Sequence, residues 1–305
     1  MNYSVTAVIV TYNRRDLLQK ALETISEQTL KPNRLIIIDN ASNDGTHEML
    51  ENYGWLNRSD IELLRLPINM GGAGGFHAGI QAAINYGTDW IWLMDDDGFP
   101  EHECLQKLLQ FATENHLDAI SPIQVDIHNP NLPAFPIKSP SKEEIREIPF
   151  KSKNGKFFTK GEANLFNGLL ISTESLTKIG LPRPELFIRG DEVEFTRRMQ
   201  KNDLKFGTLL NCHFFHPSDK NERHQIFFGL IKARDAHNDF KNYYMFRNKG
   251  LAFRENGWLW ILPFDFMRYF YYFLIYKRGD LHGLNLWFRA MRDGLSKRLG
   301  RHPDY

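Results

Sequence analysis

Three consecutive aspartates, Asp95, Asp96 and Asp97, follow an apolar run at 90–94 and precede Gly98. In an extended chain alternate side chains share a side, so Asp95 and Asp97 can hold one divalent cation between them. Three adjacent carboxylates without a counterion would repel each other. A solvated acidic turn is the alternative, but the predicted position at the end of a strand favours a metal site.

Residues 69–76 carry four glycines in five positions, directly before a helical pattern. Backbone without a Cβ can approach a ligand closely, and a helix start offers N–H groups to an anion. Asn69, Gly74 and Gly75 are therefore candidates for contact with phosphate. The alternative is a tight connection between two elements.

Five other residues are candidates for chemistry. Asp39 ends the second predicted strand, where a carboxylate can accept hydrogen bonds from a ribose or a base; capping of the next helix is the alternative. Asp191 and Glu192 begin a predicted helix, where they can act as a base or simply compensate the helix dipole. His213 and His216 follow an apolar run, and either could complete a metal site or be structural.

The first third of the chain alternates strand-like and helix-like segments, which is typical of parallel strands joined by helical crossovers. The predicted strands are 4–10, 34–39, 61–66 and 90–94, and the predicted helices are 14–27, 45–53 and 73–86. Ligands bind outside the carboxyl ends of such strands. The polar residues just after those ends, such as Thr11, Tyr12 and Asn13, are therefore expected to meet at one edge of the sheet.

The composition restricts the class of protein. Of 305 residues, 42% are hydrophobic and 25% charged, as in ordinary globular proteins. Lys and Arg number 38 against 37 Asp and Glu, so we expect no general nucleic-acid binder. Two cysteines suit a reducing compartment, and we expect the N-terminus to form a buried strand rather than a signal peptide. No stretch of about 18 residues is free of charge, so we expect a cytoplasmic protein without a membrane span.

Taken in order, these segments resemble the family 2 inverting glycosyltransferases. The implied fold is α/β of the GT-A type, with a Rossmann-like, mostly parallel sheet flanked by helices and a C-terminal helical region. The resemblance covers about residues 4–220. It rests on the two nucleotide-binding segments, the Asp-x-Asp motif and two segments similar to the galactofuranosyltransferase and rhamnosyltransferase branch, at 8–14, 39–46, 95–97, 69–76 and 166–168.

The resemblance also implies roles for residues. Glu192 is the favoured catalytic base, with Asp191 second. The metal ligands are Asp95, Asp97 and His216, with His213 as the second choice of histidine. Asp39 is expected to bind the nucleobase, and the remaining donor-binding positions are Thr11, Tyr12, Asn13, Arg14, Asn69, Gly74, Gly75, Asp95 and Asp96.

The implied reaction is an inverting displacement with Mn²⁺ or Mg²⁺ as cofactor. The donor is a nucleotide-diphospho-sugar, a UDP-sugar first and a dTDP-sugar second, carrying galactofuranose first and rhamnose second. The acceptor is a glycan or lipid-linked molecule in bacterial surface polysaccharide synthesis. A sugar nucleotidyltransferase and a non-catalytic sugar-binding module are the alternatives.

Residues 1–225 are predicted to form the catalytic domain, with a nucleotide-sugar half at about 1–125 and an acceptor half at about 126–225 that begins with a surface flap. Residues 226–305 form a helical region dense in aromatic side chains and cations. Such helices can lie peripherally on the inner face of the cytoplasmic membrane, where Lys277 and Arg278 would meet anionic lipid. Packing on a second subunit, in a homo-oligomer, is the alternative.

Overall fold

The computed structural model describes residues 3–148, 157–218 and 222–305. The chain divides into two compact units, Met1–Pro182 with Phe195–Ser218, and Arg183–Glu194 with Asp219–Tyr305. Part of the predicted flap, 149–155, lies outside the described residues. The domain boundary near residue 225 stays a prediction.

The N-terminal part of the first unit follows the predicted order of elements. Four parallel strands, ordered β3-β2-β1-β4, alternate with three helices. The strands are β1 (Val5–Thr11), β2 (Arg34–Asp39), β3 (Ile61–Arg65) and β4 (Trp90–Asp95), and the helices are α1 (Arg15–Ser26), α2 (Thr46–Asn52) and α3 (Gly71–Asn85). These predicted elements are confirmed.

Strand β1 is buried along its whole length because helices cover both faces of the sheet. Ala7 and Ile9 pack in one apolar cluster with Leu18 of α1. Val8 lies in the opposite cluster with Phe76 of α3. The two clusters divide the strand with the period of two that alternating side chains require.

The rest of the first unit makes the sheet mixed. In the described part of the chain it continues beyond β4 as β9-β6-β10-β5, with β7 paired to β6 and β8 to β10. Strand β9 runs antiparallel between β4 and β6, whereas β6 and β10 are parallel. The further elements are β5 (Phe99–Pro100), α4 (Cys104–Glu114), β6 (Ala119–Asp126), β7 (Asn129–Pro133), β8 (Phe158–Lys160), β9 (Asn167–Ser172), α5 (Thr173–Ile179) and β10 (Phe206–His216).

The second unit contains a hairpin and helices, so the predicted helical C-terminal region is confirmed. Helix α6 (Asp191–Lys201) begins in this unit and continues in the first. The other elements are β11 (Arg223–Ile226), β12 (Ile231–Arg234), α7 (Asp239–Glu255), α8 (Leu262–Phe270), a π-helical segment (Tyr271–Tyr276) and α9 (Leu281–Leu295). Within the described ranges, no helix has both the length and the apolar character needed to cross a bilayer.

Candidate active site

The acidic triplet lies where β4 ends, with Asp95 paired to Val10 of β1 in the strand register. Asp96 is only 3% exposed and accepts a hydrogen bond from Thr11 Oγ1 to its Oδ2 at 2.7 Å. Burial raises the pKa of Asp96 to about 6, although Arg14 and Thr11 act against this shift. Asp96 is thus held inside the protein, while Asp95 and Asp97 are only partly buried.

Arg14 supplies the counterion that the triplet requires. Its Nη1 lies 3.1 Å from Asp96 Oδ1 and 2.7 Å from Asp97 Oδ2. The side chain of Arg14 is 46% exposed, so the guanidinium also faces solvent. One cation therefore offsets the repulsion between two neighbouring carboxylates.

His216 is the histidine that the structure places beside the triplet. Its Nε2 lies 3.1 Å from Asp97 Oδ1, whereas His213 Nδ1 lies 3.4 Å from Glu101 Oε2. Residues three apart on a strand face opposite sides, which separates the two histidines of β10. Burial alone would raise the pKa of Asp97, but the hydrogen bond and charge of His216, and then Arg14, lower it to about 2. Asp97 is therefore ionised at neutral pH.

The donor set at Asp97 fits a divalent cation. An ionised carboxylate and an imidazole suit Mn²⁺, and half-buried Asp95 offers a second carboxylate at the same strand end. The ligand atoms of Asp95, Asp97 and His216 nevertheless do not all lie within 4.8 Å of one another. Over residues 3–148, 157–218 and 222–305, the one group of three ligand atoms within 4.8 Å of one another is His224, Asp235 and His237.

The loops after β1 and β2 are tied together near the predicted nucleotide residues. Asn13, in the left-handed region at φ 52°, donates its N–H to Ser42 Oγ at 2.9 Å and accepts from Asn43 N at 2.8 Å. Asp39 is 1% exposed; its Oδ1 accepts from Ser42 N at 2.8 Å, and its Oδ2 lies 3.4 Å from Arg65 Nε. Ser42 and Arg65 are not among the predicted site residues, because their contacts with Asn13 and Asp39 join positions that are distant in sequence.

The start of α3 is held by two asparagines. Asn69 Oδ1 accepts from Gly71 N at 2.8 Å. Asn40 accepts from Met70 N at 3.0 Å and donates its Nδ2 to Gly71 O at 2.9 Å. Asn40 was not predicted as a site residue, although it follows Asp39 directly.

The glycine-rich run differs from the predicted loop. Residues 71–75 already form the first turn of α3, two residues earlier than predicted, and Gly74 and Gly75 are buried. A Cβ on Gly75 would lie 2.5 Å from Val10 Cγ1 and 3.1 Å from Asn40 Nδ2. Close packing of the helix on β1 therefore accounts for glycine at this position. Tyr12, by contrast, is 42% exposed.

Asn167 is a buried polar residue beside the triplet that the sequence did not mark as a site residue. It pairs with Met94 in the register of β9 and β4, and the preceding carbonyl of Phe166 accepts from Asp95 N at 2.9 Å. Its side chain is buried, and its Oδ1 has no hydrogen-bond partner among the residues that the structure describes. Such an atom is available to a bound ligand.

The acidic helix start belongs to the second unit. Asp191 is buried, and burial followed by the charge of Glu192 raises its pKa well above the ordinary value. Glu192 is only half-buried. A carboxylate at the half-buried position of Glu192 can act as a base that accepts a proton from a hydroxyl.

Helix α7 holds the segment that leads to this acidic pair. Asn248 Nδ2 donates to three carbonyls, of Leu186 at 2.9 Å, Ile188 at 3.0 Å and Arg189 at 2.7 Å. The segment needs such support because three residues have left-handed backbone, Phe187 at φ 65°, Arg189 at 60° and Gly190 at 100°. Buried Arg247 adds hydrogen bonds to the carbonyls of Glu185, Leu186 and Gly300.

Comparison with known proteins identifies the family. The family model described as Glycosyl transferase family 2 matches residues 6–176. The chain belongs to glycosyl transferase family 2. This glycosyltransferase is 35% identical over 303 residues to galactofuranosyltransferase GlfT1 of Mycolicibacterium smegmatis. The alignment covers 97% of this chain and 98% of the relative. GlfT1 of Mycobacterium tuberculosis is 34% identical and covers 99% of this chain, with 98% of its own length matched.

Solved structures confirm the GT-A type of fold for this glycosyltransferase. GalNAc-T7 with UDP, GalNAc and Mn2+ superposes with a TM-score of 0.61 at 14% identity, over 84% of this chain and 50% of that one. Staphylococcus aureus TarS 1-349 in complex with UDP superposes with a TM-score of 0.54 at 16% identity, over 96% of this chain and 72% of that one. The predicted enzyme class, a glycosyltransferase, is confirmed by the family.

Proposed function

We propose that this glycosyltransferase transfers galactofuranose from a UDP-sugar, with inversion, to a glycan or lipid-linked acceptor in surface polysaccharide synthesis. The observation that carries the proposal is the similarity to galactofuranosyltransferase GlfT1, which extends over 97% of this chain at 35% identity. The similarity therefore includes the second unit as well as the family segment.

For the donor, we assign the ends of β1 and β2 to the nucleotide. Asp39 with Ser42 and Arg65 forms a rigid, charged edge, and Asn13 ties the two loops together. Arg14 is the cation at this edge that can face a diphosphate as well as the triplet. Asn167 is our candidate for contact with the donor sugar, because its buried side-chain oxygen has no hydrogen-bond partner among the described residues and its backbone pairs with Met94, the residue before Asp95.

For the cofactor, we propose that Asp95, Asp97 and His216 hold Mn²⁺ or Mg²⁺. When bound, the ion neutralises charge that develops on the diphosphate leaving group. Asp97 is kept ionised by His216 and Arg14, so it is ready to bind a cation at neutral pH.

For the proton transfer, we propose Glu192 as the base that removes the proton of the acceptor hydroxyl. Glu192 is the more exposed member of the pair, while buried Asp191 has the raised pKa. Attack then inverts the anomeric carbon without a covalent sugar–enzyme intermediate.

The C-terminal helices carry an exposed apolar row, for which we propose contact with the inner face of the cytoplasmic membrane. Phe264 and Met267, three residues apart on α8, are 67% and 63% exposed, and Trp260, in the 3-10 turn directly before α8, is 67% exposed. Exposed Arg278 follows the π-helical segment. The lipid contact of Lys277 stays a prediction, and its Nζ lies 2.6 Å from buried Asp235 Oδ2.

The experiment that tests the proposed reaction compares donors. Purified protein is incubated with Mn²⁺, a lipid-linked glycan acceptor and one of UDP-galactofuranose, UDP-galactopyranose or dTDP-rhamnose, and nucleoside diphosphate release is measured together with glycan mass. We expect release and a mass increase with UDP-galactofuranose alone. Transfer from dTDP-rhamnose in its place would overturn the sugar and nucleotide assignment.

A further inference from the structure

A second group of metal-binding side chains lies in the C-terminal unit. His224 is on β11, Asp235 directly follows β12, and His237 precedes α7. One ligand atom from each lies within 4.8 Å of the other two. We propose that these three residues bind a zinc-class divalent transition metal, independently of the proposed glycosyl transfer.

The state of His224 is the first observation that supports this site. Its Nε2 is buried and has no hydrogen-bond partner within the described ranges of the chain. Its ring packs edge-on against the ring of His237, with centroids 5.0 Å apart, and beside Tyr272 at 5.3 Å. A buried ring nitrogen without a partner carries a desolvation cost that a bound metal would remove.

The second observation is the way in which Asp235 is held. Its Oδ1 accepts from Asn242 Nδ2 and from the backbone N–H of His237, both at 2.8 Å. Its Oδ2 accepts from the hydroxyl of Tyr272 at 2.9 Å. Metal-binding carboxylates are commonly oriented by such outer hydrogen bonds, so Asp235 is already positioned as a ligand.

Lys277 supplies the positive charge beside Asp235. Its Nζ lies 2.6 Å from Asp235 Oδ2, and its side chain is 29% exposed. The ammonium therefore competes with a metal ion for the same oxygen, and it can move toward solvent when the metal binds. This competition makes Lys277 a diagnostic residue for the site.

The ligand chemistry selects the class of metal. Two imidazoles with one carboxylate suit zinc, whereas magnesium and calcium prefer oxygen ligands. Zinc bonds of about 2.0–2.2 Å require ligand atoms roughly 3.4 Å apart in a tetrahedral site, so the three side chains close inward and water supplies the fourth ligand. The bound ion would clamp the open end of the hairpin, where His224 faces Ala233.

Equilibrium dialysis against Zn²⁺, with excess Mg²⁺ to fill oxygen-rich sites, tests the proposal on the full chain. We expect His224→Gln and His237→Gln each to lose one equivalent of zinc relative to wild type. His282→Gln is the matched control, since His282 is also an imidazole beside a carboxylate, with Nε2 2.6 Å from Asp239 Oδ2, but outside the group. This control should retain the full stoichiometry.

Lys277→Gln provides an independent arm, because it keeps all three ligands and removes the competing cation. We expect it to bind zinc about tenfold more tightly than wild type. Circular dichroism in chelator establishes that each variant is folded. Unchanged stoichiometry in both folded histidine variants, or weaker zinc binding by Lys277→Gln, would overturn the proposal. Donor hydrolysis by wild type is measured in parallel, so that failure of the proposed transferase function is recognised separately.

Discussion

At the scale of single residues, Arg14 decides how three adjacent aspartates coexist. Its guanidinium contacts Asp96 and Asp97, and Thr11 and His216 provide the remaining hydrogen bonds. The result is one buried carboxylate with a raised pKa and one partly buried carboxylate with a lowered pKa. Chemically identical side chains thus acquire different properties from their surroundings.

We predict that Asp97→Asn lowers transfer by at least about 100-fold while the protein stays folded, because the amide cannot supply an anionic ligand. Initial rates over a Mn²⁺ titration provide the measurement. Asp60→Asn is the matched control, since Asp60 also binds an arginine, Arg58, at 2.6 Å but is 41% exposed and remote in sequence from the triplet. Full activity of Asp97→Asn at all Mn²⁺ concentrations would contradict the metal role.

Glu192→Gln keeps the shape of the side chain but cannot accept a proton. We predict a decrease in turnover of about 10²–10⁴-fold with almost unchanged donor affinity. Steady-state kinetics and donor titration provide the two readouts, with Glu194→Gln in the same helical turn as the control. If Asp191→Asn is impaired and Glu192→Gln is active, the base is Asp191.

The buried Asp191 also makes stability depend on pH. Its pKa is higher in the folded than in the unfolded chain, so its contribution is fully present below about pH 4 and is lost as pH rises through the raised value. Asp191→Asn removes this loss. We predict that the variant gains stability relative to wild type as pH increases from about 4 to about 8. Urea unfolding at several pH values measures the difference; a gain that is independent of pH would argue against buried ionisation.

At the scale of elements, the contact between α3 and β1 depends on glycine. Gly75 and Gly79 both face β1, where a Cβ would overlap Val10 or Val8. The helix is therefore close enough to the sheet for Asn40 to hold its first turn. The small size of glycine therefore allows both the close packing of α3 on β1 and the contact of its first turn with Asn40.

We predict that Gly79→Ala destabilises the protein by about 1–3 kcal/mol through overpacking against Val8. Gly72→Ala is the control in the same helix, because a Cβ there meets no atom within 4 Å. It should be neutral or stabilise by up to about 1 kcal/mol through helix propensity. Urea unfolding measures the free energy of unfolding of both variants. Equal changes in the two variants would contradict close packing as the reason for glycine at position 79.

At the scale of the whole molecule, the segments proposed to bind the nucleotide and the exposed apolar row belong to different units. Variants in the row should therefore change attachment to lipid without changing donor chemistry. The two cations near the row differ in how freely they can contact anionic lipid. Lys277 is engaged by Asp235, whereas Arg278 is exposed.

We predict that the protein binds anionic vesicles at low salt and that binding weakens as salt rises. Replacing Trp260 and Phe264 together by serine should reduce binding by about tenfold or more, because each aromatic ring contributes about 1.5–3 kcal/mol when buried. Vesicle sedimentation measures binding, and UDP release in the same samples should be unchanged. Tyr53→Ser, at a position 65% exposed in the first unit, is the control. No sedimentation of wild type would contradict the lipid contact.

The first four strands, their helices and the polar residues that follow them could be predicted from the amino-acid sequence. These elements are local: each buried strand is a short apolar run, and each turn is marked by polar residues or glycine. The order of motifs also determined the family. Local patterns were sufficient for the strands and helices because neighbouring residues establish both the element and its end.

The contacts between distant side chains could not be predicted in this way. Arg14 contacts residues more than 80 positions away, His216 rather than His213 reaches Asp97, and Asn248 supports carbonyls about 60 positions earlier. The antiparallel insertion of β9 between β4 and β6 likewise has no local signal. Such contacts depend on how sheet order and strand register bring distant segments together.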